Sequence, residues 1–236
     1  MVSIVIPAYN EESNIGKTLD SLVKQKNTPE FEVIVVNNNS TDHTAQVALK
    51  YKSKLNLKVI NEPRKGRGKA RATGFEHAKG EIILSLDADT IASKNWVTNM
   101  AAHFEDSKVV AVTGTWKMNT VHPATAFLAS RLQTVVMIPY VLLFGNYWLT
   151  GFNFAIRKSI YKKCGGFNKN LNAIEDIDLA LKVRKFGKIK YVSDCEVTTS
   201  GRRYQKGLLP GIWEYQKGTF NYFVLDKRKN LLDDKR

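Results

Sequence analysis

The sequence predicts an α/β fold with a mostly parallel sheet and helices on both of its faces. Strand and helix signals alternate through the first half of the chain, which is typical of βαβ units. The strand signals are short apolar runs, as expected for strands that are buried on both faces. The chain has 236 residues, 43% of them hydrophobic, so one large domain with a sizeable core is expected.

Five strands are predicted in the first half: Val2–Ile6, Phe31–Val36, Leu57–Ile60, Ile82–Leu86 and Val109–Val112. A helix is predicted after each of the first four strands, because a cap residue or a turn-rich stretch follows the strand. In chain order these are Asn10 or Ser13, Asn37–Asp42, the basic loop Pro63–Lys69, and Ser93. The third helix is expected to stop at Gly80, a plausible C′ glycine. The fourth carries Trp96, Met100 and Phe104 at the spacing of one helix face.

The second half of the chain has a different pattern. His122–Leu149 is unusually apolar and predicted to be mostly helical. A clear helix is predicted over Asn172–Phe186, ending at Gly187, and Ile189–Val192 is predicted to be a strand. The charged tail from Leu225 onward is expected to fray.

Two carboxylates follow the fourth predicted strand directly. Residues two apart on a strand project to the same face, so Asp87 and Asp89 should lie side by side at its carboxyl end. Open α/β sheets bind their ligands at this edge. Two like charges this close require a positive partner, and Mg²⁺ commonly takes one or two carboxylates together with phosphate oxygens. The alternative is an acidic turn or helix cap, because Asp is a common turn residue.

The charge balance points to an anionic partner. The formal net charge is +14 and the pI is about 9.7, which suits nucleotide phosphate, nucleic acid or an acidic membrane surface. A nucleic-acid-binding module is an alternative on charge alone, but no helix-turn-helix or aromatic RNA platform is recognisable, so no nucleic-acid partner is expected. The two cysteines, Cys164 and Cys195, form no C-x-x-C pattern, and no signal peptide is evident. A reducing, cytoplasmic location is therefore expected.

Four polar stretches carry the functional prediction: Pro7–Glu11, Asn37–Ser40, Asp87–Asp89 and Glu175–Asp176. In a parallel sheet the first three would surround one crevice. Their order and spacing, from Val2 to about Arg203, resemble the family 2 glycosyltransferases. The resemblance implies a GT-A-like, Rossmann-type sheet in one domain with a helical segment on the acceptor side.

The resemblance implies roles for several residues at the nucleotide end. The family's first nucleotide-binding loop is matched by Pro7, Tyr9 and Glu11. The alternative is an ordinary turn at the end of the strand, which has the same residue types. Asn37 stands where the family usually has an Asp that accepts a hydrogen bond from the base. An amide carbonyl can also accept that bond, but without charge, so the identity of the base stays open. Arg71 would face the base or phosphate, the alternative being a solvated basic loop.

The resemblance also implies the reacting end of the site. Asp87 would contact ribose and metal, and Asp89 would coordinate a divalent ion, Mg²⁺ or Mn²⁺, that bridges the diphosphate. Glu175 would belong to the nucleotide-sugar site, and Asp176 would be the catalytic base. A helix N-terminus favours ionised carboxylates, as a general base requires. Acids in a first helical turn are also common without any catalytic role.

Two adjacent arginines, Arg202 and Arg203, follow Gly201. Guanidinium groups bind phosphate in a bidentate manner, so a glycine-bearing loop with paired arginines could close over a diphosphate. A solvated basic loop is the alternative. None of the four histidines lies late in the chain, where some relatives have a further metal ligand.

The function that this resemblance implies is an inverting, metal-dependent transfer of a sugar from a UDP- or GDP-sugar to an acceptor hydroxyl. The acceptor would be a glycan or a lipid-linked molecule. Residues 1–205 would form the catalytic domain, with a donor-binding half over about 1–115 and an acceptor-side half over about 116–205. Residues 206–236 would form a charged helical extension. A catalytically silent nucleotide-binding or regulatory protein of the same fold is the rival, with Asn37 as a sign of drift.

A long uncharged stretch, Leu132–Ile156, is interrupted by Pro139 and Gly145 and is therefore poorly suited to span a bilayer. Its aromatic and aliphatic residues could instead form helices that lie at a membrane interface. The basic surplus would assist contact with an anionic leaflet. The expected location is then the cytoplasmic face of the membrane. The alternative is that the stretch completes the core or a subunit interface.

Overall fold

The computed structural model describes residues 1–119, 122–171 and 174–202, and these form one α/β domain around an eight-stranded sheet. The strands are β1 Val2–Ala8, β2 Phe31–Asn37, β3 Leu57–Asn61, β4 Ile82–Leu86, β5 Thr90–Ala92, β6 Val109–Asn119, β7 Asn153–Arg157 and β8 Lys188–Ser200. The helices are α1 Ile15–Val23, α2 Thr44–Leu49, α3 Arg67–His77, α4 Trp96–Ala102, α5 Pro123–Phe144, α6 Lys158–Lys163 and α7 Glu175–Val183. A short 3₁₀ helix, Lys50–Ser53, follows α2.

The strand order across the sheet is β3-β2-β1-β4-β7-β6-β8-β5. The strands β1 to β4, β6 and β8 run in one direction, whereas β7 and β5 run in the other. The prediction of a mostly parallel α/β sheet is therefore confirmed. The carboxyl ends of β1, β2, β4 and β8 consequently face the same edge, and this edge carries the polar stretches noted above.

The strand β7 was not predicted from the sequence. It runs antiparallel between β4 and β6 and thus joins the early strands to the late ones. Its first residue, Asn153, is polar yet fully buried, because its side chain donates to the carbonyls of Thr115 and Cys195 and accepts from the Trp96 indole. Because a polar residue interrupts the apolar run by which buried strands are recognised, Asn153 gave no strand signal in the sequence.

Two predicted helices begin later than the sequence indicated. The first starts at Ile15 with Asn14 as its N-cap residue rather than Asn10 or Ser13, and the Asn10 backbone adopts a left-handed φ of 53°. The helix α7 starts at Glu175, because Ile174 has a φ of 65° and a left-handed residue ends any helix that precedes it. Of the predicted start of this helix, Asn172 lies outside the described residues.

Hydrophobic residues fill both faces of the sheet. Alternate residues of a strand point to opposite faces, so Ile4 and Ile6 join one core and Val5 joins the other. The first core contains Leu19, Leu84 and Trp96, whereas the second contains Phe75, Ile83, Phe154 and Leu179. Packing on both faces holds the strand ends in place, which is what the polar edge requires.

The helix α5 covers most of the apolar stretch and contains Pro139. Met137 is buried against the domain, but a set of large apolar side chains is exposed: Phe127, Leu128, Val135, Ile138, Leu142 and Leu143. At 100° per residue these positions fall on one side of the helix. None of the helices in the described ranges combines the length and hydrophobicity needed to cross a membrane. The predicted extension, residues 206–236, lies outside the described part of the chain.

Candidate functional site

The site is built at the carboxyl edge of the sheet, where β1 lies between β2 and β4. Tyr9 and Glu11 follow β1, Asn37 ends β2, and Asp87 and Asp89 follow β4. The predicted convergence of these stretches at one edge is therefore what the structure shows. Pro7 lies within β1 and is buried, so it shapes the strand end rather than the surface.

Arg71 is the buried centre of a carboxylate network. Its guanidinium donates to Asp87 Oδ1 at 2.6 Å and to Glu175 Oε1, and its side chain is only 3% exposed. The helix α3 delivers Arg71, whereas α7 delivers Glu175, so one cation joins residues 104 positions apart. The sequence predicts that Arg71 faces the base or phosphate, and in the structure its guanidinium contacts the carboxylates of Asp87 and Glu175.

Asp176 is held at the first turn of α7 by backbone groups. The Gly151 N–H donates to Asp176 Oδ2 at 2.9 Å, and the Ile177 N–H donates to Oδ1 at 2.9 Å. Burial and the neighbouring charge of Glu175 raise the Asp176 pKa to about 6, against the lowering effect of Arg71. This carboxyl group can therefore change protonation state near neutral pH, as a general base does.

The contact between Gly151 and Asp176 requires glycine. A Cβ added at residue 151 would lie 2.8 Å from Asp176 Oδ2 and 3.1 Å from an Arg71 nitrogen. The Ser85 hydroxyl donates to the Gly151 carbonyl at 2.7 Å, which fixes the glycine against β4. From the sequence, no catalytic role was assigned to Gly151, because the segment Gly151–Arg157 also suits turn and packing chemistry.

Arg202 forms a second bridge, across the mouth of the site. One guanidinium nitrogen lies 2.6 Å from both Glu11 Oε1 and Asp89 Oδ2. Burial and the charge of Asp87 raise the pKa of Asp89, and Arg202 counteracts that rise. Arg202 therefore lies beside two of the predicted site carboxylates, whereas its neighbour Arg203 lies outside the described residues.

The opposite end of the crevice is suited to an aromatic ring. The Lys65 ammonium donates to the Tyr9 hydroxyl at 3.0 Å and lies 4.9 Å from the centroid of the Tyr9 ring. Asn37 donates through Nδ2 to Asn61 Oδ1 at 3.1 Å and accepts from the Ser40 N–H at 3.3 Å. The two amides end adjacent strands, and together with Tyr9 they present hydrogen-bonding groups beside an aromatic surface.

The Asn38 side chain holds the basic loop Pro63–Lys69 through three hydrogen bonds, although the sequence predicted Asn38 only as part of a turn. Its Nδ2 donates to the carbonyls of Glu62 and Arg64, and its Oδ1 accepts from the Gly66 N–H at 2.9 Å. Hydrogen bonds from Arg64 lower the Glu62 pKa to about 2, so this carboxylate stays charged and keeps the loop closed. The loop leads directly into α3 and so positions Arg71.

Comparison with known proteins agrees with this arrangement. The family model described as Glycosyl transferase family 2 matches residues 3–165. The chain belongs to the family 2 glycosyltransferases. Among curated family members, it is 32% identical over 200 residues to the probable glycosyltransferase YdaM of Bacillus subtilis. That match covers 79% of this chain but 47% of YdaM, so the chain spans about half the length of this relative.

Two further proteins are similar to this chain. A 107-residue match, 40% identical, covers 44% of this chain and 19% of the poly(ribitol-phosphate) β-N-acetylglucosaminyltransferase TarS of Staphylococcus aureus. The crystal structure of TarS residues 1–349 with UDP-GlcNAc superposes with a TM-score of 0.67 at 28% identity, covering 85% of this chain and 58% of that one. A Pyrobaculum calidifontis mannosyltransferase with GDP-Man and Mn²⁺, 21% identical with a TM-score of 0.67, covers 98% and 69% of the two chains and supports the fold alone.

Proposed function

We propose that this chain transfers a sugar from a nucleoside diphosphate sugar to an acceptor hydroxyl, with inversion at the anomeric carbon. The observation that carries the proposal is the linkage of Asp87 through buried Arg71 to Glu175, which precedes Asp176 in α7. The linkage would hold Asp87, which would bind the donor, close to Asp176, which would act on the acceptor. Membership of family 2 and the likeness to UDP-GlcNAc-bound TarS support this assignment.

The donor would lie along the carboxyl edge. The base would rest beside Tyr9 and meet the amides of Asn37 and Asn61, whereas the ribose and diphosphate would approach Glu11, Asp87 and Asp89. The role of Arg71 would be to position carboxylates, since it is enclosed by Asp87 and Glu175. Arg202 and Arg203 would supply positive charge to the diphosphate. Pro7 would hold the first loop at the end of β1.

A divalent metal fits the residues present. Asp87 and Asp89 provide carboxylate oxygens, which are the ligands that Mg²⁺ and Mn²⁺ prefer. The Arg202 guanidinium lies against Asp89, so this carboxylate already has a cationic partner in the structure. When bound, the ion would neutralise charge that develops on the leaving nucleoside diphosphate.

Asp176 would act as the general base. The two backbone N–H groups that bind its carboxylate fix its orientation, and its raised pKa of about 6 matches a proton acceptor near neutral pH. Asp176 would remove the proton from the acceptor hydroxyl as the oxygen attacks the anomeric carbon. Attack from the side opposite the diphosphate inverts the configuration.

The acceptor would be a glycan or a lipid-linked molecule. TarS is named for poly(ribitol phosphate), and Trichomonas vaginalis ALG5D, 37% identical over 97 residues, is named a dolichyl-phosphate β-glucosyltransferase. The exposed apolar side of α5 would contact an anionic membrane, assisted by the net charge of +14. The protein would then work at the cytoplasmic face of that membrane.

Vesicle binding tests the membrane contact. The wild-type chain is expected to co-sediment with anionic vesicles at low salt and less at high salt, because salt screens the charge contribution. Leu142→Gln with Leu143→Gln should weaken this binding, since these side chains are 80% and 77% exposed. Val23→Gln and Leu49→Gln, exposed apolar positions on other helices, are the matched controls. Absence of binding to anionic vesicles at low salt would argue for a soluble acceptor.

The decisive experiment on the proposed function is metal-dependent donor binding by Asp89→Asn. Calorimetry with UDP, GDP, CDP and dTDP in the presence of Mn²⁺ identifies the base, and Asp89→Asn should lose the Mn²⁺-dependent part of the affinity. Asp106→Asn is the control for removing a carboxylate elsewhere in the domain, because the Asp106 side chain accepts from the Lys108 N–H in a turn away from the site. Unchanged Mn²⁺-dependent affinity in Asp89→Asn would refute the metal assignment. Binding without any donor hydrolysis or transfer would favour the silent nucleotide-binding protein instead.

A further inference from the structure

A second cluster of potential metal ligands lies away from the nucleotide-sugar site. It consists of His103, directly after α4, and of Asp194 and Cys195 in β8. One ligand atom from each residue lies within 4.8 Å of the other two. The first two form an ion pair when His103 is protonated, with His103 Nε2 at 3.0 and 3.1 Å from the two Asp194 carboxylate oxygens. The Cys195 thiol lies 3.6 Å from Asp194 Oδ1.

An irregularity in β8 brings two sequence neighbours to the same place. Adjacent residues on a regular strand point to opposite faces, so Asp194 and Cys195 would normally diverge. The pairing between β6 and β8 skips here, passing from Gly114–Val192 to Trp116–Val197. A β-bulge of this kind re-aims side chains, and bulges are over-represented beside functional sites.

The helix α4 is anchored to this bulge on one side. Trp96 Nε1 donates to Asn153 Oδ1, and the Asn153 side chain in turn donates to the Cys195 carbonyl at 2.8 Å. Asn99 Nδ2 donates to the Asp194 carbonyl at 2.7 Å. Because His103 lies one turn after Asn99, it is held over the bulge by contacts that do not involve its own ring.

We propose that His103, Asp194 and Cys195 form a zinc site that is separate from the nucleotide-sugar site. Zinc has bond lengths of about 2.0–2.2 Å to nitrogen and oxygen and about 2.3 Å to sulfur, so a tetrahedron has edges of roughly 3.4 Å for N···O and roughly 3.6 Å for S···O. The 3.6 Å separation of thiol and carboxylate equals the second edge, and the ion pair needs to open by only a few tenths of an ångström.

The ligand types select zinc over the ion of the nucleotide site. Thiolate and imidazole prefer Zn²⁺, whereas Mg²⁺ and Mn²⁺ prefer oxygen ligands such as those of Asp87 and Asp89. Asp194 is 51% exposed, so water can reach the fourth position. Burial raises the pKa of the Cys195 thiol, and coordination would therefore displace its proton to solvent as the metal–sulfur bond forms.

The ion would join the end of α4 to the bulge of β8. Beyond the bulge, β8 pairs with β5, which follows Asp89, and then leads to Arg202. Zinc would thus hold the strand that carries a charged residue into the nucleotide-sugar site. The effect would be structural, because none of the three ligands contacts that site in the described residues.

Cobalt(II) titration of the chelator-treated full-length chain tests this site. The Asp89→Asn background removes one carboxylate from the nucleotide site, so that the two metal sites are distinguished. One Co²⁺ per chain should produce a thiolate-to-cobalt charge-transfer absorption, and Zn²⁺ should displace it. Cys195→Ser should abolish this absorption, whereas Cys164→Ser should retain it.

His103→Gln keeps the test decisive if Cys195→Ser does not fold. His103 is at the surface, and loss of an outer partner alone weakens metal affinity 10–100-fold, so loss of a ligand should cost at least about tenfold. His43→Gln is the matched control, because His43 also pairs with a carboxylate, Glu12, at 3.2 Å. Absence of the thiolate absorption in the parent chain, or unchanged Co²⁺ affinity in His103→Gln, would reduce the cluster to an ion pair above a packed thiol.

Discussion

At the scale of single residues, the site depends on a few charges with unusually well-defined partners. Asp176 has two backbone donors and Arg71 has two carboxylate partners. The types and order of these residues could be predicted from sequence, because acids at a strand end and at a helix start are visible patterns. Their partners could not, since Gly151 and Asp176 are brought together only by the packing of β7 against β4.

Asp176→Asn is expected to retain nucleotide binding and to lose transfer. The amide can still accept from the Gly151 N–H, but it cannot take a proton from the acceptor. Loss of a general base typically lowers the rate by ~10²–10⁴-fold. Transfer assays and calorimetry on the same preparation separate the two effects. Asp178→Asn, in the same helical turn, is the control, and turnover within a few-fold of wild type in Asp176→Asn would exclude it as the base.

The pH profile provides an independent check on Asp176. The base must be ionised, so transfer should rise with pH through a midpoint near the Asp176 pKa of about 6. The opposite sign holds for stability. The folded protein binds this proton more tightly than the unfolded chain, so the Asp176 contribution to stability falls as pH rises from about 4 to about 6. The free energy of unfolding, measured by chemical denaturation between about pH 4 and pH 6, should lose this fall with pH in Asp176→Asn. The same pH dependence in Asp176→Asn and wild type would contradict a raised pKa at Asp176.

At the scale of elements, apolar runs in the sequence predicted the strands of the first half except β5, and they predicted the second half incompletely. Val2–Ile6 and Phe31–Val36 were recognised because continuous apolar runs mark strands that are buried on both faces. The strand β8 extends to Ser200 although only Ile189–Val192 was predicted, since Ser193–Glu196 is polar and irregular. This segment is a strand because it pairs with β6 and β5, which are distant in sequence. The local sequence pattern does not indicate such long-range pairing.

The segment after β8 is expected to couple metal binding to diphosphate binding. Arg202 lies against Asp89, so a metal ion that binds without nucleotide must compete with a guanidinium. Arg202→Ala should therefore bind Mn²⁺ alone more tightly, by roughly tenfold if one charged hydrogen bond of about 1.5 kcal/mol is removed. The same variant should bind UDP-sugar more weakly and uridine unchanged. Lys169→Ala, which removes a positive charge paired with the exposed carboxylate of Glu76, is the control for lost positive charge. Calorimetry that shows equal Mn²⁺ affinity for Arg202→Ala and wild type would contradict this coupling.

At the scale of the whole molecule, the two predicted halves share one sheet. The strand β7 belongs to the proposed acceptor-side half yet pairs with β4 of the donor half. Two ion pairs join the halves. The pair of Arg71 and Glu175 is buried, and the pair of Glu11 and Arg202 is partly exposed. The fold class could be predicted from the rhythm of strands and helices, but this interleaving depends on strand order, which the sequence pattern does not contain.

A fragment of residues 1–115 is therefore expected not to bind nucleotide. It would expose the edge of β4 that β7 covers and would leave Arg71 without Glu175. Circular dichroism and calorimetry on the fragment and on the full chain measure folding and binding together. A cooperatively folded fragment that binds UDP would show that the donor half is an independent unit.

The contact between Glu11 and Arg202 also has a kinetic consequence. These residues are 191 positions apart, and Arg71 and Glu175 are 104 apart. Contacts between distant positions form late and slow folding, because loop closure must precede them. During synthesis, the complete arrangement of charges cannot exist before residue 202 has left the ribosome. Donor binding by nascent chains arrested at increasing lengths should therefore appear in one step rather than grow gradually.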